Sequence, residues 1–304
     1  MTKFSIVTPC LNGERYISET VKSIVNNRSV QSGHIELQYI VVDGGSSDLT
    51  LDMLSKELAR APGNVQAIVI SEPDQGMYDA LAKGLRLVDG DVVGYLNAGD
   101  YYSPTAFEIV EEIFGRGETD WLTGLTVIYS DRSDIIDVKL PYRYRNRLLR
   151  AGFYGRFLPY IQQESTFWSA GLQDRIDLDR LSNCRLAGDF FIWRSLSEFA
   201  QLSIVEAWLA GFRVHSGQLS EDIEKYLDEL RRLCTTPKPL DYVQAAVDRM
   251  LWLLPNRPKK ILNSDILAFE PESGCYAPVR GARAGSHGLR DVLATVRAKT
   301  GERK

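Results

Sequence analysis

The stretch VVGYLNAGDYY, residues 92–102, starts as a buried strand and ends as something a core does not hold. Val92, Val93, Tyr95 and Leu96 are core-forming, whereas Asn97, Ala98, Gly99 and Asp100 bring a carboxamide, a turn and a carboxylate to the strand's end. The same order recurs upstream. FSIVT (4–8) is followed by PCLNGE, LQYIVVD (37–43) leads into DGGSSD, and VQAIVIS (65–71) is followed by EPDQG. Helical spacing fills the gaps: Tyr16, Ile17, Val21, Ile24 and Val25 share one face, as do Leu51, Leu54 and Leu58, and Met77, Leu81, Leu85 and Val88. Strand and helix in alternation predict an α/β fold with a parallel sheet and right-handed crossovers. Ligands bind such sheets at the carboxyl ends of the strands. Four polar loops therefore predict one polar crevice.

Bulk properties narrow the function. The chain has 304 residues, enough for one large domain or two smaller ones, and its 44% hydrophobic and 25% charged residues are those of a globular protein. A net charge of −4 gives no general attraction to nucleic acid. MTKFSIVTP enters a strand directly, with no secretory pattern, and MLWLLP is too short for a membrane span. The expected location is the cytoplasm, with the inner face of the cytoplasmic membrane open as a docking place. Cys10, Cys184, Cys234 and Cys275 are scattered, without metal-site spacing. Cys10 reads as a buried filler.

Beyond residue 102, residues 104–114 read as a helix and WLTGLTVIY (121–129) as a strand. Lys139, Arg143, Arg145, Arg147, Arg150 and Arg156 occupy 139–156 without one acid, a pattern that suits a solvated face, a phosphorylated acceptor or anionic lipid. Ile223, Leu227, Leu230 and Cys234, then Val243, Val247, Met250 and Leu254, predict a helical hairpin that packs in the core, in a homodimer or against a membrane. Residues 255–304 read as partly extended.

No G-x-G-x-x-G follows the first strand and no P-loop is present. The crevice is acidic instead, with Asp43, Asp48, Asp74, Asp79 and Asp100. Carboxylates suit base N–H groups, ribose hydroxyls and a hard divalent metal. FSIVTPCLNGERYISETVKSI, IVVDGGSSDLT, SEPDQGMYDALAKGL and VGYLNAGDYY together resemble the inverting family-2 glycosyltransferases with the GT-A fold. The third stretch, E-x-D-x-G-x-Y-D-A-x-x-K-G, is similar to the subgroup that builds bacterial O-antigens and capsules.

The resemblance covers residues 4–220. It implies a Rossmann-like, mostly parallel sheet flanked by helices and a metal-dependent transfer of sugar from a nucleotide-sugar, UDP-linked by family precedent. The acceptor is a hydroxyl of a glycan or a polyprenyl-diphosphate-linked sugar. The expected organisation is a catalytic domain over 1–220, with a nucleotide-sugar half at about 1–102 and an acceptor half at about 103–220. A C-terminal helical extension and tail follow over 221–304.

Carried over by position, Thr8 and Pro9 border the base pocket, Asp43 reads base or ribose, and Asp74 lies against the nucleoside. Tyr78, Asp79 and Lys83 line the donor pocket. NAGD (97–100) stands where the family carries an acidic metal motif, with Gly99 in place of one carboxylate. Asp100 is then the ligand to Mn²⁺ or Mg²⁺, Asn97 supports it, and His215 is a distant ligand or phosphate donor. Asp189 is the general base and Glu164 the second base or an acceptor ligand. Plainer roles stand beside these: Asp48 and Asp189 as helix caps, Asp79 as a first-turn acid, and Lys83 as a solvated lysine. Two other functions remain open, a degenerate nucleotide-sugar binding or scaffold protein, favoured by Gly99, and a sugar nucleotidyltransferase.

Overall fold

The computed structural model describes residues 1–214, 222–263 and 265–279. The first part runs β1 (Lys3–Cys10), α1 (Ile17–Val25), α2 (Arg28–Gln31), β2 (Glu36–Asp43), α3 (Thr50–Leu58), β3 (Val65–Ser71), α4 (Met77–Leu85) and β4 (Val92–Tyr95). β1 pairs in parallel with β2 and β4, and β2 with β3. Side chains alternate along these strands. Phe4, Ile6, Leu37, Tyr39 and Val41 face one core, with Ile17, Val21 and Ile24 of α1 and Leu54 of α3. Val7, Ile40 and Val42 face the other, with Tyr78, Leu81 and Leu85 of α4. Both faces are covered, as a parallel sheet requires.

The chain continues through β5 (Tyr101–Tyr102), α5 (Ala106–Gly115), β6 (Trp121–Thr123), β7 (Thr126–Tyr129), β8 (Ile135–Lys139), α6 (Asn146–Arg150), β9 (Phe167–Ser169), α7 (Ala170–Gln173), α8 (Leu178–Ser182), α9 (Gly188–Leu196), β10 (Ser203–Val205) and β11 (Ala210–Arg213). Then come α10 (Ile223–Leu233), α11 (Pro239–Trp252), α12 (Asn256–Leu262), β12 (Ile266–Glu270) and β13 (Cys275–Pro278). The large sheet has the order β13-β12-β10-β6-β9-β4-β1-β2-β3. β9 is antiparallel to both of its neighbours, β4 and β6. A second sheet, β5-β11-β7-β8, stands beside the carboxyl end of β4. The architecture is the mixed α/β fold that the strand–helix alternation predicts, with a mostly parallel sheet between helical layers.

Two expectations are corrected and a third is made specific. Residues 121–129 are not one strand: β6 joins the large sheet and β7 the small one. The break falls at Gly124, where a Cβ would lie 2.8 Å from the Ala207 carbonyl, and Leu125 N–H bonds that carbonyl at 2.9 Å. Part of the tail is regular, because α12 and the β12–β13 hairpin extend the large sheet, β12 lying parallel to β10.

The arginine-rich stretch is not a solvated face. Arg145 makes a two-bond contact with the fully buried Asp248 of α11 at 2.7 and 3.1 Å. Arg147 pairs with the buried Asp241 at 2.5 Å, Arg143 bonds Asn263, and Arg150 bonds the Ser197 carbonyl at 2.7 Å. Charge therefore fastens α11 inward, and its Val243, Val247 and Met250 stripe, expected to pack, faces out.

Candidate active site

Leaving β4, the chain turns so that Asp100 N–H bonds the Asn97 carbonyl at 3.1 Å. Gly99 has φ +120, a conformation that side chains avoid. The absent carboxylate thus has a backbone cause. Thr20 of α1 accepts from Gly99 N–H at 2.9 Å and donates to the Asp100 carbonyl at 2.8 Å. Arg213 of β11 holds the other side: its N–H donates to Asp100 Oδ1 at 2.9 Å and its Nε to the Gly99 carbonyl at 2.8 Å. The guanidinium is buried, pairs with Glu19, and lies 4.7 and 5.4 Å from the ring centroids of Tyr16 and Tyr101. Sequence reasoning missed Arg213, although an arginine inside the apolar strand of LAGFRV was the available cue.

Glu164 enters from a one-turn helix, Gln163–Ser165. Gln162 clasps both backbone groups of Val127 at 2.8 and 2.7 Å. Gln163 donates to the Tyr95 carbonyl at 2.6 Å and accepts from Asn97 Nδ2 at 3.1 Å. With the turn pinned this way, Glu164 Oε2 and Asn97 Oδ1 are buried and unpartnered. Burial, and then the charge of Glu164, push the Asp100 carboxyl well up. Burial chiefly raises Glu164 to about 7, with Asp189 adding to it. A carboxylate raised by burial and by a neighbouring acid is relieved by a cation.

Asp189 sits in the first turn of α9, and its Oδ1 accepts from Phe190 N–H at 2.7 Å. It borders a cavity of about 10 Å³, with Tyr154, Tyr160, Trp193 and Tyr226 around it, room for about one water. Burial, the largest cause, raises its carboxyl to about 6; the nearby charge of Glu229 adds to this and a hydrogen bond with Tyr226 opposes it. Glu229 has a second role. Its carboxylate accepts the N–H groups of Arg185, Leu186 and Ala187 at 2.8, 2.7 and 3.2 Å, bracing the loop before Asp189 from α10. Tyr226 and Glu229, three apart on one helix face, also escaped the sequence reading.

The remaining predicted residues divide. Asp43 is fully buried and engaged by its own loop: Gly45 N–H, Ser46 N–H and Ser71 Oγ donate to it at 3.2, 3.0 and 2.7 Å. Burial pushes this carboxyl up, but the donors of Ser46, Ser71 and Gly45 outweigh it and its pKa is lowered. Asp74 lies over Gly44, so the two strand ends meet. Thr8 is buried under Tyr39, whose hydroxyl bonds it at 3.2 Å, and Pro9 is buried beside it. Tyr78 reaches the Leu186 carbonyl at 3.2 Å, next to the Asp189 loop. Lys83 is tied to Glu72 at 2.9 Å and Asp79 at 3.6 Å. Asp48 accepts the Thr50 N–H at 3.0 Å at the start of α3, but the N-cap position itself is Leu49. Burial, then Asp43, lift the Cys10 thiol to about 12, so it stays protonated.

Among the described residues no three His, Cys, Asp or Glu side chains come together to hold a metal ion. His215 lies outside the described residues. What the site offers is the unpartnered oxygens of Asn97 and Glu164, near an Asp100 whose Oδ1 already accepts the Arg213 N–H. This donor set fits a hard divalent ion that takes the rest of its shell from substrate and water.

The sequence model of the family described as "Glycosyl transferase family 2" matches residues 5–170. An uncharacterized glycosyltransferase of Mycobacterium tuberculosis (strain ATCC 25618 / H37Rv) is 31% identical over 163 residues, covering 51% of this chain and 59% of the relative. The chain spans between 33% and 59% of the length of the first curated relatives it matches. Among solved structures, S. aureus TarS 1–349 in complex with UDP-GlcNAc superposes with a TM-score of 0.55 at 15% identity, covering 86% of this chain and 71% of that one. Mannosyltransferase PcManGT from Pyrobaculum calidifontis, in complex with GDP-Man and Mn²⁺, gives 0.53 at 15% identity, covering 98% and 80%. These likenesses show the GT-A type of fold. With the family match spanning more than half of its residues, the chain belongs to glycosyl transferase family 2.

Proposed function

We propose that the chain is a metal-dependent, inverting glycosyltransferase. It moves a sugar from a nucleotide-sugar, UDP-linked, to a hydroxyl of a glycan or polyprenyl-diphosphate-linked acceptor, in O-antigen- or capsule-like surface polysaccharide synthesis. One observation carries the reading: Asp100, Glu164 and Asp189 arrive from separate elements, yet the charge of Asp189 bears on Glu164 and that of Glu164 on Asp100. The complexes of TarS with UDP-GlcNAc and of PcManGT with GDP-Man and Mn²⁺ support the donor class. The E-x-D-x-G-x-Y-D-A-x-x-K-G stretch supports the polysaccharide setting.

Thr8, Pro9, Asp43 and Asp74 border the nucleoside, and Tyr78, Asp79 and Lys83 the rest of the donor. Asp100 and Asn97 face the diphosphate, with His215 a further ligand from beyond the described residues. Held there, Mn²⁺ or Mg²⁺ supplies neutralising charge for the leaving diphosphate. Asp189 takes the acceptor hydroxyl's proton while that oxygen bonds the anomeric carbon. The bond to the diphosphate breaks with its electron pair, and attack from the opposite side inverts the centre. Glu164 orients the acceptor hydroxyl. Gly99, the feature that favoured a degenerate binding protein, has a backbone role instead.

Calorimetry with UDP, dTDP and GDP, each with and without Mn²⁺, tests the proposal. One nucleotide should bind in a metal-dependent way, and Asp100→Ala should abolish that binding. Metal-independent binding would remove Asp100 from the proposed role. Failure of all three to bind would remove the donor class.

A further inference from the structure

Helix α11 is built inside out. Its inward face carries Asp241, Ala245 and Asp248, both acids held by arginines of the stretch before β9. On the opposite face Leu240, Val243, Val247 and Met250 are 62, 60, 46 and 70% exposed. These four recur at helical spacing along about 15 Å of helix. A soluble helix places its apolar stripe on the protein and its charges in water. Here the stripe is left for a partner.

Charge indicates which partner. Across residues 235–263 the only acids are Asp241 and Asp248, and both are buried. Every exposed charge in that stretch is therefore basic, Lys238 and Arg249 on α11's own border among them, in a chain whose net charge is −4. The patch also extends sideways. Tyr242 packs on Phe153 at 5.2 Å and on Phe157 at 6.3 Å, and Phe157 is half-exposed with the Arg156 guanidinium 5.4 Å from its ring. An apolar stripe with aromatic flanks, on a segment whose exposed charges are all basic, has the composition of a helix that lies in a lipid interface.

We propose that the outer face of α11, with Phe157 and Tyr242, docks on an anionic bilayer surface. Apolar side chains enter the headgroup boundary, and the basic margin meets lipid phosphates. The proposal stands apart from the reaction assigned above. The loop that carries Phe157 does continue to Tyr160, whose ring meets Tyr226 edge-on at 5.8 Å beside Asp189, so the docked face and the cavity at Asp189 share a segment.

Flotation of the full chain with vesicles of phosphatidylglycerol and phosphatidylcholine, against phosphatidylcholine alone, tests it directly. Binding should favour the anionic vesicles and weaken with salt. The triple variant Val243→Asp, Val247→Asp, Met250→Asp should lower it more than tenfold, and Lys238→Glu with Arg249→Glu should lower it on anionic vesicles. Circular dichroism melts check that these surface variants stay folded. No binding to anionic vesicles at low salt, or equal binding to both kinds, would overturn the proposal. So would sedimentation showing a dimer that the triple variant dissociates, because a second copy would then cover the stripe.

Discussion

Helices α4 and α11 bury opposite kinds of residue. α4 turns Tyr78, Leu81 and Leu85 onto the sheet and keeps Asp79 and Lys83 on its rim. α11 turns two aspartates inward and leaves its aliphatic stripe outside. The first belongs to a region held by interdigitated side chains, the second to a region held by charge pairing across long loops. Periodicity tells which residues share a face. It does not tell which face the protein covers, because that depends on what chemistry waits opposite.

The acids of the site offer the sharpest contrast. Asp189→Asn should cut turnover by about 10²–10⁴ while nucleotide binding persists, since only the proton acceptor is lost. Rapid-quench turnover beside calorimetric binding checks this, and an unchanged rate would remove the base from α9. Next comes the charge-held region. Asp248→Ala should destabilise the fold by about 3–5 kcal/mol by stranding Arg145, whereas Asp248→Leu with Arg145→Met should cost far less. Urea unfolding of both variants decides; equal losses would mean packing, not pairing, holds α11. In the packing-held region Leu81→Ala, fully buried in α4, should cost about 2–5 kcal/mol in the same assay.

The smallest effect concerns pH. Asp189 accepts a proton only when ionised, so turnover should fall as pH drops through about 6. The charge of Glu229 helps to keep that value up, so Glu229→Gln should shift the acid limb to lower pH and slow turnover by about tenfold as the loop loosens. A slowed enzyme with an unmoved limb would make Glu229 a brace without electrostatic reach.

Strands β1–β4 and the helices between them were legible because each element's partner lies next in sequence and both sheet faces are apolar. Asp100 and Asp189 were visible as acids at element ends. Arg213, Gln162, Gln163 and Glu229 were not, since each acts on backbone groups or charges far along the chain. Arg145 and Asp248 stand 103 residues apart, and no local pattern links them. The split at Gly124 was hidden for a similar reason, because the carbonyl that forbids a side chain there belongs to Ala207.

The position of β9 bears on how the molecule is made. β1 to β4 can assemble as soon as they leave the ribosome, but Val93 and Gly94 keep an open edge until Trp168 and Phe167 emerge to pair with them. β6 is synthesised earlier than β9 yet reaches the large sheet only through it and β10. Until Phe167–Ser169 is translated, the nascent chain carries an incomplete site and, besides the β3 edge that stays open, the edge of β4 still to be paired, the interval in which a chaperone would be of most use.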